Sequence, residues 1–199
     1  MTTPANETTT NHTVDEDAGR AAGTSQLALL GVPFLIGATV AVTLGVYGSL
    51  HEPTGVAVNV GGFSSPQTVK VWLATGVAVL AVAQLLSALS MWGRLGSPTP
   101  AWAAPVHRWS GRLAFLLAVP VAIHCLYALG FATYDTRVVT HGLLGCFFFG
   151  AFTVKMLALP KPGLRGWVLP VLGGTVFTAL IALWLTSSFW YFTTIGVTL

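Results

Sequence analysis

Histidines are the residues of this sequence best suited to chemistry, because four of the five lie in or beside long apolar stretches. His12 lies in a polar amino-terminal segment and is set aside. His51 follows the first apolar stretch, and His107 opens the third. His124 lies deep in the third stretch, and His141 lies just inside the fourth. An ionisable side chain within a membrane helix is costly to bury, so these positions are candidate functional residues.

The apolar stretches themselves predict an all-α integral membrane protein. The chain has 199 residues, of which 54% are hydrophobic and 8% are charged, whereas soluble domains carry about 25% charged residues. Five stretches are long enough to cross a hydrocarbon core of ~30 Å. We expect helices over residues 26–48, 68–92, 107–131, 138–159 and 167–190. The predicted fold is a five-helix bundle over residues 26–192, in contact with the lipid bilayer.

The two ends of the chain are predicted to lie outside this bundle. Residues 1–25 are polar and cannot bury enough apolar surface to offset their ordering entropy, which predicts a disordered tail. Residues 193–199 are predicted as a short tail at the other end. The basic residues lie beside the apolar stretches without interleaved aromatic residues, so they indicate membrane topology and give no support for nucleic-acid binding.

The placement of lysine and arginine predicts the orientation of the five spans. Cytoplasmic loops carry an excess of these residues. If the amino terminus is cytoplasmic and the carboxyl terminus is outside, only Lys70 and Arg137 fall on the outer side. The inner side then holds Arg20, Arg94, Arg108, Arg112, Lys155, Lys161 and Arg165. We therefore expect a multi-pass protein of the cell membrane in this orientation.

His124 and His141 are predicted to lie at similar depth on neighbouring helices. The segment between spans three and four is short, which favours antiparallel neighbours. His124 lies roughly 10 Å from the outer end of its span, and His141 roughly 6 Å, at 1.5 Å per residue. Two facing histidines form the axial ligand set of a six-coordinate haem b. The pattern therefore predicts one haem whose iron is bound by these two side chains.

Residues near this pair are compatible with a flat anionic macrocycle. Gly142 and Gly145 lie one turn apart on one helix face and would let a ring approach the backbone. Lys70 and Arg137 lie at the predicted outer rim, where they could neutralise haem propionates. The predicted cofactor-binding set is thus His124, His141, Gly142, Gly145, Lys70 and Arg137.

Other roles stay open for the histidines. Each could form only an interhelical hydrogen bond, and proton translocation is disfavoured because the spans lack buried carboxylates. His107 lies seventeen residues before His124, roughly 100° away around the helix, so it is a weaker candidate iron ligand. His51, at the outer end of span one, is another. The spans also lack the paired broken helices of a transporter.

The stretch His107-Arg108-Trp109-Ser110-Gly111-Arg112-Leu113-Ala114-Phe115, followed by His124, resembles the third span of small haem b membrane cytochromes and of ferric-reductase-like transmembrane proteins. The resemblance implies haem ligation by His124 and His141. Residues 27–192 also resemble an uncharacterised family of actinobacterial five-span proteins, most closely at Thr140-His141-Gly142-Leu143-Leu144-Gly145-Cys146. That second resemblance implies no activity.

These observations together predict a membrane electron-transfer protein. It would relay electrons between a quinol-type donor and an acceptor at the outer face. The two-haem relatives need two pairs of histidines, and no flavin or nicotinamide domain follows the spans, so the chain would act with redox partner proteins. Whether it forms the membrane subunit of an oxidoreductase is left open. The alternative is a cofactor-free membrane scaffold or an accessory subunit of a larger complex.

Overall fold

The structure, a computed structural model, describes residues 7–96 and 98–199, with side chains from residue 26 onward. All regular secondary structure in this part of the chain is helical, and it contains no β-strand. The long helices are α1 (Glu7–Leu50), α2 (Pro66–Met91), α3 (Ala103–Ile123), α4 (Thr136–Ala158) and α5 (Val168–Trp184). A π-helical segment, π1 (His124–Leu129), continues α3. A second, π2 (Leu185–Phe189), joins α5 to the short helix α6 (Trp190–Thr194).

Five helical segments are long and apolar enough to cross a membrane. They are Gln26–Leu50, Pro66–Met91, Ala103–Leu129, Thr136–Ala158 and Val168–Thr194, with mean hydropathies of 1.4 to 2.2. Many large apolar side chains on them point away from the protein, such as Leu35, Val79 and Leu116. Such a surface is stable against lipid and unfavourable in water. The predicted all-α five-span fold is confirmed, and the chain is a multi-pass membrane protein.

Helix α1 packs closely against α4 through small residues. A Cβ atom built on Gly150 would lie 2.7 Å from the carbonyl oxygen of Gly37, so neither position tolerates a side chain without movement. Membrane helices associate through such small residues because lipid provides no hydrophobic driving force between them. Helix α4 also packs against α5, and α2 contacts α5. Helices α1, α4 and α5 therefore form one side of the bundle.

Helix α2 packs along α3 and joins it through polar side chains at the end of the bundle opposite the loop 51–65. The Gln84 amide donates to the carbonyl oxygen of His107 and, at 2.8 Å, to Oγ of Ser110. Gly111 makes room for Gln84, because a Cβ atom there would lie 3.2 Å from the amide. These hydrogen bonds fix the register of α2 against α3.

The expectation that α3 and α4 would be close neighbours needs correction. The two helices make no extended backbone contact; on the side away from their connecting loop, the rings of Phe115 and Phe152 stack with centroids 5.0 Å apart. Near the loop they are separated by a cavity. A short loop brings two helix ends together, but it does not determine how far the helices diverge beyond those ends.

The two chain ends differ in how much of them the structure describes. The predicted disordered tail includes residues 1–6, which are outside the described residues, and for residues 7–25 only the backbone, assigned to α1, is described. The tail therefore stays a prediction. At the other end, the indole of Trp72 donates to the carbonyl oxygen of Thr198 at 2.8 Å. The Ser64 N–H donates to the carbonyl oxygen of Leu199 at 2.9 Å. The last residues thus cover the end of the bundle that carries the loop 51–65.

Candidate functional site

A cavity of about 490 Å³ separates α3 from α4 and is completed by α2, α5 and π2. Ligand pockets in proteins typically enclose roughly 300–1,000 Å³. Its walls are mainly apolar, with a few polar groups towards the end that carries the loop 130–135. The residues that line it include Lys70, Cys125, Phe131, Arg137, His141, Cys146, Phe148, Trp184, Thr186 and Trp190.

The cavity brings together five of the six predicted cofactor-binding residues. Lys70, Arg137, His141, Gly142 and Gly145 all line it. They come from α2 and α4, helices that are not adjacent in sequence, so the fold has collected them into one place. His124, His107 and His51 are outside the lining set.

His141 is hydrogen-bonded through one ring nitrogen to a residue of π2. Its Nδ1 lies 2.9 Å from Oγ1 of Thr186. The Thr186 hydroxyl has one proton, and its oxygen also lies 2.8 Å from the carbonyl oxygen of Ala182 and 3.1 Å from that of Leu183, which can only accept. When the hydroxyl donates to one of these carbonyls, it accepts from Nδ1–H of His141. In that tautomer Nε2 of His141 is unprotonated and has a lone pair able to bind a metal.

Lys70 is a buried cation without an acidic partner among the described side chains. Its side chain is 9% exposed and lies in the first turns of α2, where the positive end of the helix dipole disfavours a cation. Among the described side chains, the acids are Glu52 and Asp135, and neither pairs with Lys70. A buried ammonium group is costly unless an anion neutralises it. The cavity beside Lys70 is therefore suited to a negatively charged group.

Arg137 is partly satisfied by groups at the same end of the cavity. Its Nη1 donates to the carbonyl oxygen of Thr186 at 2.8 Å, and its guanidinium carbon lies 3.7 Å from the centre of the Trp190 ring. Its Nε lies 3.8 Å from a carboxylate oxygen of Asp135, too far for a hydrogen bond, and is buried without a hydrogen-bond partner. Asp135 also caps α4 by accepting from the Arg137 N–H. Among the described residues, Nε is thus a buried guanidinium donor whose hydrogen bond is not made.

The two glycines of α4 differ in what occupies the space beside them. A Cβ atom on Gly142 would lie 2.7 Å from the ring of Phe131, and one on Gly48 of α1 would lie 2.7 Å from the same ring. Phe131 is therefore clamped between two glycines. At Gly145 the nearest atom would be Cδ2 of Leu183, at 4.0 Å. Open space next to α4 is found at Gly145, whereas Gly142 makes room for Phe131.

His124 lies beside the cavity wall. Val121 and Cys125, on either side of it along the helix, line the cavity, but His124 does not. Its imidazole forms no hydrogen bond with the described residues. His124 begins π1, and both π-helical segments border the cavity. Such segments are often found at functional sites because the extra residue rotates side chains out of the regular helical phase.

His51 and His107 are engaged in contacts between elements. Nε2–H of His51 donates to the carbonyl oxygen of Tyr127 at 3.0 Å, and its ring stacks between Tyr47 and Tyr127. Nδ1–H of His107 is shared between the carbonyl oxygen of Gln84 at 3.2 Å and Oγ of Ser87 at 3.1 Å. Both histidines therefore join one part of the bundle to another.

Sequence reasoning did not identify Thr186, Trp190 or the unpartnered Nε of Arg137. Thr186 is separated from His141 by 45 residues, and π2 shifts its helical phase, so no regular spacing indicated the contact. Among the described residues there is also no group of three or more histidine, cysteine or acidic residues that could hold a metal ion. A bare ion site is thus not indicated there.

The comparisons with known proteins place the chain in a family without assigning it an activity. No curated protein and no solved structure matches it significantly. One family model, described as "Family of unknown function (DUF6529)", matches residues 29–199, which include most of the first span, the other four spans in full and every residue of the cavity. The expectation of an uncharacterised membrane family is confirmed to that extent. The chain belongs to this family of unknown function.

Proposed function

We propose that the protein binds one haem b in the cavity and relays electrons, between a quinol-type donor and an acceptor at the outer face. The observation that carries this proposal is the arrangement of His141, whose Nδ1 is hydrogen-bonded to Thr186 while the side chain lines the cavity. A histidine that binds a metal almost always donates its other ring N–H to a fixed acceptor.

The remaining lining residues fit the same group. Haem b has an apolar ring with two carboxylates, and the cavity has mainly apolar walls with Lys70 and Arg137 towards one end. Lys70 has no acidic partner among the described residues, and Nε of Arg137 has no hydrogen-bond partner. When bound, haem supplies one-electron chemistry. The side chains of this protein would hold its carboxylates, ligate its iron and exclude water.

His124 is proposed as the second iron ligand. It adjoins two cavity-lining positions, Val121 and Cys125, and forms no competing hydrogen bond with the described residues. The resemblance of the His107–Phe115 stretch and His124 to haem b cytochromes supports this role. His51 and His107, by contrast, already form hydrogen bonds between elements and are not proposed as ligands.

A quinol-type donor would reach the site from the membrane. An apolar groove of about 390 Å³ lies between α1 and α3 and shares four lining residues with the cavity: Leu44, Ala122, Leu126 and Phe149. An isoprenoid quinol is lipid-soluble, so a groove of this kind supports a membrane-borne donor. The acceptor and any partner subunits stay unspecified.

The test is the oxidised and dithionite-reduced absorption spectrum of protein purified from haem-replete cells. We expect the sharp reduced bands of low-spin haem at one haem per chain. His124→Ala and His141→Ala should each abolish those bands, whereas His51→Ala and His107→Ala should keep them. Wild-type protein without haem would overturn the proposal. It would favour the scaffold, for which the interhelical hydrogen bonds of His51 and His107 are the supporting observation.

The proposed orientation places the cavity end with Lys70 and Arg137 outside and the amino terminus in the cytoplasm. The support is the distribution of basic residues between the two ends. Reporter fusions after Ala101 and Pro162 should give cytoplasmic signals, and a fusion after Gly61 should give an external signal. An external signal from the Ala101 fusion would reverse the orientation.

A further inference from the structure

Thr186 contacts two groups of the candidate site at once. Its hydroxyl oxygen lies 2.9 Å from Nδ1 of His141, and its carbonyl oxygen accepts from Nη1 of Arg137 at 2.8 Å. These two partners belong to α4, whereas Thr186 belongs to π2. Thr186 thus joins both the candidate iron ligand and the neighbouring cation to π2.

The Thr186 carbonyl lacks its regular α-helical hydrogen bond. In a regular α-helix this carbonyl would accept from the N–H four residues later, that of Trp190. The Trp190 N–H donates instead to the carbonyl oxygen of Ser187. The Arg137 guanidinium occupies the position at the Thr186 carbonyl, and it also stacks on the Trp190 ring. The irregular backbone of π2 and the two contacts that Thr186 makes with α4 therefore occur at the same residue.

The hydroxyl of Thr186 acts on His141 through the proton at Nδ1. Two carbonyl oxygens, those of Ala182 at 2.8 Å and Leu183 at 3.1 Å, compete for the hydroxyl's own proton, which favours the hydroxyl as the acceptor for the proton at Nδ1. An imidazole that donates from Nδ1 has an unprotonated Nε2 and is a more basic metal ligand. Valine has nearly the same shape as threonine but no oxygen, so replacing Thr186 by valine removes this effect with little change in volume.

We infer that Thr186 is the positioning residue of the site, which fixes His141 as the Nδ1–H tautomer and increases its electron donation to a metal bound at Nε2. The metal-dependent part of this inference rests on the proposed haem function, whereas the tautomer does not. Greater donation stabilises oxidised iron, so removal of the hydroxyl should raise the midpoint potential of the haem. Partners of this kind typically contribute a factor of about 10–100 in metal affinity.

The experiment compares Thr186→Val, Thr186→Ser and Thr175→Val with the wild type. Thr175 is the matched control, since it lies on α5 with the same hydrogen bond to a carbonyl oxygen four residues earlier but is outside the cavity. In haem-free protein, ¹⁵N spectra of labelled histidine report the His141 tautomer. In haem-loaded protein, redox titration reports the midpoint potential and haem titration reports affinity.

We expect Thr186→Val to lose the pure Nδ1–H tautomer, to raise the potential and to weaken haem binding about 10–100-fold. Thr186→Ser should keep the wild-type tautomer, midpoint potential and haem affinity, because serine also carries a hydroxyl. Thr175→Val should leave the same three properties unchanged. An unchanged tautomer in Thr186→Val would overturn the inference, whether or not the protein binds haem. A wild type that shows the expected tautomer but binds no haem would instead overturn the proposed function and leave the positioning role of Thr186 standing.

Discussion

The regions around His107 and His141 each contain a half-buried histidine whose Nδ1 is hydrogen-bonded to a neighbouring helix. Around His107, α2 and α3 are closely packed, with Gln84 hydrogen-bonded to Ser110 and Ser87 hydrogen-bonded to His107. Around His141, the helices diverge and leave a cavity where, among the described residues, Lys70 has no acidic partner and Nε of Arg137 has no hydrogen-bond partner. A hydrogen-bonded histidine in a membrane helix is therefore not sufficient to indicate a cofactor-binding site. The open cavity beside Lys70 and Arg137 distinguishes the second region.

The first prediction breaks the polar contacts of the His107 region and has the largest expected effect on the fold. Gln84→Leu removes two interhelical hydrogen bonds, so we expect a loss of about 1–3 kcal/mol in the free energy of unfolding. Unfolding of the detergent-solubilised protein by denaturant measures this loss. Haem affinity per folded molecule should be unchanged. A variant with full stability and weakened haem binding would contradict the separation of the two regions.

The second prediction compares the two glycines of α4. Gly142→Ala places a methyl group against the Phe131 ring, and overpacking of this kind costs about 1–3 kcal/mol. Gly145→Ala adds the same methyl group next to open space, so stability should hold or rise by up to about 1 kcal/mol. Haem titration should show the larger affinity loss in Gly145→Ala, after correction for the folded fraction. Equal effects of the two substitutions on stability would show that Phe131 is not clamped as described.

The third prediction concerns the unpaired cation. Lys70→Gln removes a positive charge near the carboxylates of a bound haem, which disfavours the reduced form. The midpoint potential should fall by on the order of tens of millivolts. Lys70→Arg, which keeps the charge, is the control. Arg137→Gln should produce a smaller fall, because Asp135 already offsets part of that charge. Potentials unchanged in both glutamine variants and in the double variant would argue against propionate contacts there.

Hydropathy and the spacing of apolar residues predicted all five spans to within a few residues, because each helix must bury its backbone hydrogen bonds in lipid. Most of the candidate site also followed from residue type and position, since His141 is costly to bury within an apolar span and Lys70 and Arg137 are cations at the predicted outer rim. The gap between α3 and α4 did not follow, because a short loop brings two helix ends together but does not determine how far the helices diverge beyond them. The role of Thr186 was also inaccessible, since π2 rotates it out of regular helical phase.

The central claim is that the cavity at His141, and not the polar contact at His107, binds the cofactor. The most direct measurement is titration of haem into haem-free protein, comparing the wild type with His141→Ala and His107→Ala at matched folded fractions. We predict one haem per chain for the wild type and for His107→Ala, and no low-spin haem for His141→Ala. Undiminished low-spin binding by His141→Ala, or its loss in folded His107→Ala alone, would contradict the account.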